Sequence, residues 1–169
     1  MKKNLVLIGF MGTGKSSIAR ILSRKLGVPM VSIDDLIENR EGKKIAEIFK
    51  DSGESYFRSV ESQVVRDVAN HESAVIDCGG GVVLNPQNML ALKKSGVLIH
   101  LTCGPEEILR RIKLQPQRPL LDVADPLAKI NELLQERQPY YSQADISMDT
   151  TDGALEKAAE EIIKKVRHE

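Results

Sequence analysis

The chain has 169 residues, and its 24 lysines and arginines balance 24 aspartates and glutamates, so the formal net charge is zero. This length predicts one domain, residues 1–169, that can bury a core without disulfides or a metal. The balanced charge argues against a non-specific binder of nucleic acid or membrane surfaces, which would carry a basic excess. Since no apolar run reaches the roughly 18 residues of a membrane span, we expect a cytoplasmic protein.

Short apolar runs that predict buried strands alternate with amphipathic helices along the chain. The strands are expected at residues 5–8, 30–33, 74–77, 97–101 and 145–148. The first helix should stop at Gly27 and Pro29, and the last helix carries one apolar face from Leu155 to Val166. This alternation indicates right-handed crossovers and a parallel sheet covered on both faces, which is an α/β fold.

Cysteine and histidine form no pattern that indicates catalysis or metal binding. Cys78 and Cys103 are far apart in sequence, so reduced, semi-buried thiols are favoured over a disulfide. By contrast, the segment from 113 to 125 has two prolines and little periodicity. Because a long loop inside a compact domain is often functional, we expect a mobile lid there.

Residues 9–16 read GFMGTGKS and match the phosphate-binding pattern G-x-x-x-x-G-K-[ST]. A predicted strand precedes the loop and a helix follows it, so backbone N–H groups can converge on phosphate oxygens at a positive helix end. Lys15 would reach the β and γ phosphates, and the Ser16 hydroxyl would bind Mg²⁺. The residues expected to bind MgATP here are Gly12, Thr13, Gly14, Lys15, Ser16 and Ser17.

The loop alone leaves a kinase, a GTPase and a mechanical ATPase open. Nothing in the chain resembles the Asn-Lys-x-Asp motif with which GTPases read guanine. One compact domain with a candidate lid favours a small-molecule kinase, because such an enzyme must exclude water to avoid hydrolysing ATP.

A series of short blocks follows the phosphate loop in a definite order. The blocks are residues 9–16, 38–42, 45–49, 53–58, 79–81, 118–121 and 137–141. Their order and spacing resemble those of the shikimate kinases over nearly the whole chain. The resemblance implies a three-layer P-loop kinase fold of the nucleoside-monophosphate-kinase type, with a five-stranded parallel sheet and a lid. It also implies transfer of the ATP γ-phosphate to the 3-hydroxyl of shikimate, in the pathway to aromatic amino acids.

The resemblance implies roles for residues on the substrate side, where helices over about 34–70 would bind shikimate. Asp34 matches the carboxylate that contacts the reacting hydroxyl, and Arg58 and Arg137 match the arginines that hold the substrate carboxylate. Planar guanidinium groups suit that task because they bind a carboxylate bidentately. The substrate would lie against a glycine run, whose backbone permits close approach: Gly79, Gly80 and Gly81.

On the nucleotide side, Arg111 matches an arginine that stacks beside adenine, and Arg118 matches the lid arginine that folds onto the phosphates. Catalysis would then rest on Lys15, Asp34 and Arg118. Phosphoryl transfer has a loose transition state, so positioning and charge neutralisation do most of the work.

Taken singly, several of these residues have plainer interpretations. Arg58 fits a solvated helix position, and Arg137 fits a surface pair with Glu132 or Glu136. Asp34 fits a helix N-cap after a strand. The joint pattern, and not any single spacing, favours the functional roles.

The chain departs from the family pattern at one position. The usual Asp-x-Asp motif falls on Ser32-Ile33-Asp34, so Ser32 replaces the first aspartate, which helps to hold Mg²⁺ in the family. Asp77 ends the third predicted strand, where many P-loop proteins carry a metal-associated carboxylate. We therefore hypothesise that the carboxylate has moved from position 32 to position 77; neutral drift at 32 is the alternative.

Two other functions stay open at this point. Gluconate is also a carboxylated polyol, so a gluconate kinase of the same fold would need a similar set of arginines. A non-catalytic ATP-binding module would be expected to lack Asp34 and Arg118, and the chain keeps both. The resemblance further implies a monomer, with ATP and shikimate as its partners.

Overall fold

The computed structural model describes residues 3–114 and 121–167. The strands are β1 (Asn4–Gly9), β2 (Met30–Ser32), β3 (Val75–Asp77), β4 (Gly96–Thr102) and β5 (Ile146–Asp149). The helices are α1 (Lys15–Leu26), α2 (Ile33–Glu41), α3 (Ile45–Val68), α4 (Pro86–Ser95), α5 (Pro105–Ile112), α6 (Pro126–Tyr141) and α7 (Leu155–Arg167). A short 3₁₀ helix spans Val82–Leu84.

The strands form one sheet in the order β2-β3-β1-β4-β5, and every neighbouring pair is parallel. The predicted α/β fold with a five-stranded parallel sheet is therefore confirmed. The chain leaves β1 in one direction to form β2 and β3, and then crosses to the other side for β4 and β5. In open parallel sheets, ligands bind beyond the carboxyl ends of the strands where the order reverses. Here that point lies at the end of β1.

Two apolar layers cover the sheet, and β1 contributes to both because its side chains alternate between the faces. Val6 and Ile8 pack into the layer with α2, α3 and α4. Leu5 and Leu7 pack into the layer with α1 and α7. All residues of β1 are buried, which explains why this strand reads as a continuous apolar run.

Helix ends follow local chemistry, with one departure from the sequence interpretation. Gly27 caps α1 in the left-handed conformation at φ 66°, as its position predicted. Ser32, not Asp34, is the N-cap of α2, and its hydroxyl accepts a hydrogen bond from Asp35 N. The N-cap interpretation of Asp34 is therefore wrong. Gly53 interrupts α3 at φ 80°, so the segment that carries Arg58 is a separate helical stretch.

Cys78 and Cys103 are free thiols, as expected, and both are buried where the sequence predicted partial burial. Across residues 3–114 and 121–167, none of the helices combines the length and the apolar character that a bilayer crossing requires.

His100 on β4 makes the stability of the fold depend on pH. Its ring stacks on Tyr141 at 4.4 Å between centroids and 14° between planes. Burial lowers the pKa of His100 from its ordinary 6.5 to about 4. Because the folded protein binds this proton less tightly than the unfolded chain does, the stabilisation is complete above pH 6.5 and is lost as the pH falls towards 4.

We expect His100→Phe, which keeps an aromatic ring against Tyr141, to lose less thermal stability than the parent between pH 6.5 and 4. Thermal melting across this range measures the difference, with His71→Gln on an exposed histidine as the control. If both variants follow the parent curve, His100 does not contribute to acid sensitivity.

Candidate active site

The phosphate loop joins the end of β1 to the start of α1 at the carboxyl edge of the sheet. Gly12 and Gly14 adopt left-handed φ values of 78° and 88°, which other residues rarely adopt. Lys15 is 9% exposed, and its ammonium donates a hydrogen bond to the Phe10 carbonyl at 2.8 Å. These contacts curl the loop around the amino end of α1, where backbone N–H groups and the helix dipole attract anions.

Thr150, which directly follows β5, supports the phosphate loop through a hydrogen bond of its side chain. Thr150 is 1% exposed, and its hydroxyl lies 2.8 Å from Thr13 O and 2.9 Å from Thr102 O. It therefore links the phosphate loop to the end of β4 and to the residue that follows β5. No local sequence pattern marks Thr150, and the sequence analysis missed it.

Arg111 reaches the same place from α5 and binds the protein through the edge of its guanidinium group. Nε donates to Glu107 at 2.7 Å, Nη1 to Gly12 O at 3.2 Å, and Nη2 to Thr150 O at 2.5 Å. Hydrogen bonds from Arg110 and Arg111 hold the pKa of Glu107 at about 2, so this carboxylate stays ionised. With its nitrogens engaged, the group offers a flat face to the cleft that it lines with Leu155.

The glycine run after β3 lies against three of the predicted substrate residues. A Cβ on Gly79 would be 2.7 Å from the Asp34 carboxylate, and one on Gly81 would overlap the Arg58 guanidinium. The backbone at Gly80 accepts a hydrogen bond from Arg137 Nη1 at 3.0 Å. The glycines therefore allow an acid and two cations to converge on one stretch of backbone.

Arg137 is buried, with only 5% of its surface exposed. Besides its bond to Gly80, its guanidinium lies over the Phe10 ring at 5.3 Å from the centroid. A surface pair with Glu132 or Glu136 does not describe this side chain. α6 thus presents Arg137 inward, next to the phosphate loop.

Glu61 is a second residue that the sequence analysis missed. It is 1% exposed and accepts two hydrogen bonds from Arg58 Nη1, at 2.9 and 3.1 Å. Burial raises the pKa of Glu61, while Arg58 opposes that rise. Its position one turn after Arg58 on α3 was a usable signal, because residues three apart on a helix are neighbours. Arg58 is therefore anchored and not a freely solvated side chain.

Asp77 lies at the other side of the phosphate loop, where β3 ends. It is 7% exposed, and burial raises the pKa of its carboxyl group. A hydrogen bond with the Ser16 side chain and the charge of Lys15 oppose that rise. Asp77 is the register partner of Ser32 on β2 and of Leu7 on β1.

These residues surround one cleft of about 670 Å³, a size typical of small-molecule sites. The cleft is lined by the phosphate loop, Asp34, Asp77, the first two glycines of the run and Arg111. Ser17 and Ser32 also lie on its wall. Arg58 and Arg137 adjoin it through the glycine backbone. Arg118 and much of the predicted lid, residues 115–120, lie outside the described residues.

Removing the Thr150 hydroxyl should loosen the phosphate loop. We expect Thr150→Val to weaken ADP binding by about 1 kcal/mol, the usual net contribution of one buried hydrogen bond. Titration calorimetry with ADP measures this change. Thr102→Val is the matched control, because the Thr102 hydroxyl faces Met148 O at 3.5 Å and not the loop. Equal ADP affinity in both variants would show that Thr150 does not support the loop.

Nearly the whole chain is similar in sequence to known shikimate kinases. A family model described as "Shikimate kinase" matches residues 11–167. The shikimate kinase of Caldanaerobacter subterraneus subsp. tengcongensis is 46% identical over 96% of this chain and 95% of its own length. That of Thermodesulfovibrio yellowstonii is 45% identical over 96% of this chain and 94% of its own length.

Solved structures agree with these relatives. A shikimate kinase from Acinetobacter baumannii in complex with shikimate superposes with a TM-score of 0.95 at 32% identity, covering 99% of this chain and 94% of that one. The Aquifex aeolicus shikimate kinase has a TM-score of 0.85 at 35% identity, over 97% of this chain and 96% of that one. Fold, length and sequence all agree, and the chain belongs to the shikimate kinase family.

Proposed function

We propose that this chain transfers the γ-phosphate of ATP to the 3-hydroxyl of shikimate, giving shikimate 3-phosphate and ADP. The observation that carries the proposal is the convergence of Arg58, Arg137 and Asp34 on the glycine run beside the phosphate loop. Two guanidinium groups and a carboxylate suit an acceptor that has one carboxylate and several hydroxyls. The relative from A. baumannii was solved with shikimate bound.

ATP would occupy the side of the cleft formed by the phosphate loop and α5. The backbone from Gly12 to Ser17 and the Lys15 ammonium would bind the phosphates, where the positive end of α1 adds to the attraction. The flat face of Arg111 would lie against adenine, since the edge of its guanidinium group is already bound to the protein.

Asp34 would orient the attacking hydroxyl and accept its proton late in the transfer. Arg58, Arg137 and the backbone of Gly79, Gly80 and Gly81 would fix the ring so that this hydroxyl faces the γ-phosphate. Because the transition state is loose, this positioning supplies much of the rate. Glu61 would hold Arg58 in place through its paired hydrogen bonds.

Mg²⁺ fits the donor chemistry of the cleft. Ser16 and Asp77 offer a hydroxyl and a carboxylate beside the phosphate loop, and Ser32 offers a second hydroxyl on its wall. Within the described residues, no three His, Cys, Asp or Glu side chains group as a metal site. Mg²⁺ needs no such group, because it is held by one or two protein oxygens together with phosphates and waters. When bound, it would neutralise charge on the β and γ phosphates.

Arg118 would complete the charge neutralisation from a lid over about 113–125 that closes once both substrates are bound. Within that segment, Leu121 is buried against the apolar cluster that includes residues of α5 and α6. We further propose that the protein acts as a monomeric single domain in the cytoplasm.

A panel of acceptors tests this function against its alternatives. Purified protein with MgATP should release ADP rapidly with shikimate and slowly with gluconate or water. Phosphorus NMR of the product should place the new phosphate on the 3-hydroxyl. Faster turnover with gluconate would favour a gluconate kinase, and no acceleration by any acceptor would favour a non-catalytic ATP-binding module.

Gly81→Ala should damage substrate binding without damaging the fold. The new Cβ would displace the Arg58 guanidinium, the flexible end of its side chain, so the fold need not shift. We expect shikimate to bind more weakly by about 1–3 kcal/mol, as in Arg58→Ala and Arg137→Ala, while ADP affinity stays near the parent value. The KM for shikimate and calorimetry with ADP measure the two effects.

The matched control is Gly104→Ala, whose Cβ would meet Thr151 at an ordinary 3.5 Å. It should leave the KM for shikimate unchanged. A parental KM in Gly81→Ala and Arg58→Ala would remove Arg58 from substrate binding.

A further inference from the structure

We propose that Asp77 on β3 is the carboxylate that holds Mg²⁺ together with Ser16, in place of a carboxylate on β2 at position 32. This inference rests on the proposed function, because it assumes that the phosphate loop binds a metal–nucleotide complex. It adds a ligand from a strand that neither the phosphate loop nor the acceptor residues involve.

Strand pairing sets the position of Asp77 relative to the phosphate loop. β3 pairs directly with β1, and Asp77 is level with Leu7, two residues before the loop begins at Gly9. Since both strands are parallel, they deliver their carboxyl ends to the same edge. Asp77 therefore lies beneath the phosphate loop because of strand pairing, and not because of a loop conformation.

Asp77 and Ser16 line the same cleft. Ser16 carries the hydroxyl that P-loop proteins use on Mg²⁺, and its interaction with the Asp77 carboxylate opposes the rise that burial causes in the pKa of Asp77. A carboxylate and a hydroxyl on adjacent elements form the oxygen donor set that a small hard cation prefers. The same pair in other P-loop enzymes binds the metal that bridges the β and γ phosphates.

Positions 77 and 32 are neighbours across two paired strands. Ser32 and Asp77 are register partners on neighbouring strands, whose backbones are about 4.8 Å apart. A carboxylate at either position therefore reaches the same part of the cleft. The Ser32 hydroxyl already accepts a hydrogen bond from Asp35 N as the cap of α2. A neutral hydroxyl engaged in capping is a poorer partner for a divalent cation than an anionic carboxylate.

Asp77 is buried close to groups of both charges. The residue is 7% exposed, and the charged groups acting on its carboxylate are Lys15, Arg20 and Asp35. A buried carboxylate is retained when it is paired or binds a metal, because an uncompensated buried charge is expensive. A divalent cation at this place would offset the burial of Asp77 and the nearby charge of Asp35 at once.

Metal binding can be tested without any acceptor. Mn²⁺ is titrated into the protein–ADP complex and followed by electron paramagnetic resonance, and Mg²⁺ is measured by competition. We expect the near-isosteric Asp77→Asn to weaken Mn²⁺ binding at least tenfold while ADP binding without metal is retained. Thermal melting without metal establishes that each variant is folded.

Two further variants make the test specific. Asp35 lines the same cleft, and Asp35→Asn is the matched control because it removes the same charge. We expect this variant to change Mn²⁺ affinity by less than threefold. The double variant Ser32→Asp, Asp77→Ser returns the carboxylate to β2 and should recover most of the affinity lost in Asp77→Asn.

Equal Mn²⁺ affinities in Asp77→Asn and Asp35→Asn would overturn the role of Asp77. A folded double variant that stays as weak as Asp77→Asn would overturn the exchange between positions 32 and 77. Because the readout needs only ADP and metal, failure of the acceptor panel with shikimate leaves this result interpretable.

Discussion

The parallel pairing of β1 with β3 and β4 is the constraint on which the cleft depends. It places the carboxyl ends of three buried strands at one edge of the sheet, and each end contributes a different part of the cleft. β1 continues into the phosphate loop, β3 ends at Asp77 before the glycine run, and β4 ends at Thr102 beneath the loop. Because the strands are held by their apolar faces, these groups are positioned by packing that lies outside the cleft.

The cleft shows how a chain with zero net charge can still be built for anionic substrates. Its arginines are fixed in place by hydrogen bonds or ion pairs with other protein groups, as in the pairs of Arg58 with Glu61 and of Arg111 with Glu107. Such pairing reduces the entropy lost when a ligand binds, because the side chains are already ordered. The zero net charge argues against a non-specific binder of polyanions, but it does not indicate where the individual charged residues lie.

Much of the architecture could be predicted from the sequence, because it depends on local patterns. Apolar runs indicated the five strands, and the glycines and lysine of residues 9–16 indicated the loop between strand and helix. Residues that act across long distances were harder to find. Thr150 contacts a carbonyl 137 residues away, and only the folded sheet brings the two residues together.

Other parts depended on choices that sequence alone leaves open. Ser32 and Asp34 are both good caps by residue type, and the phase of α2 decides between them. Glu61 looked like one of many helix acids, and its importance comes from burial beside Arg58. Residue type thus indicates which roles a side chain can have, such as capping a helix or pairing with an arginine, and its environment in the fold decides between them.

The edge-on binding of Arg111 has a consequence for how the proposed site would recognise a base. Its nitrogens are committed to Glu107, Gly12 and Thr150, so its contact with a base would be through the π face. Every purine presents nearly the same face, while adenine and guanine differ in the hydrogen-bonding pattern along their rims. Arg111 would therefore recognise flatness and size, and any preference between the two purines must originate elsewhere in the cleft.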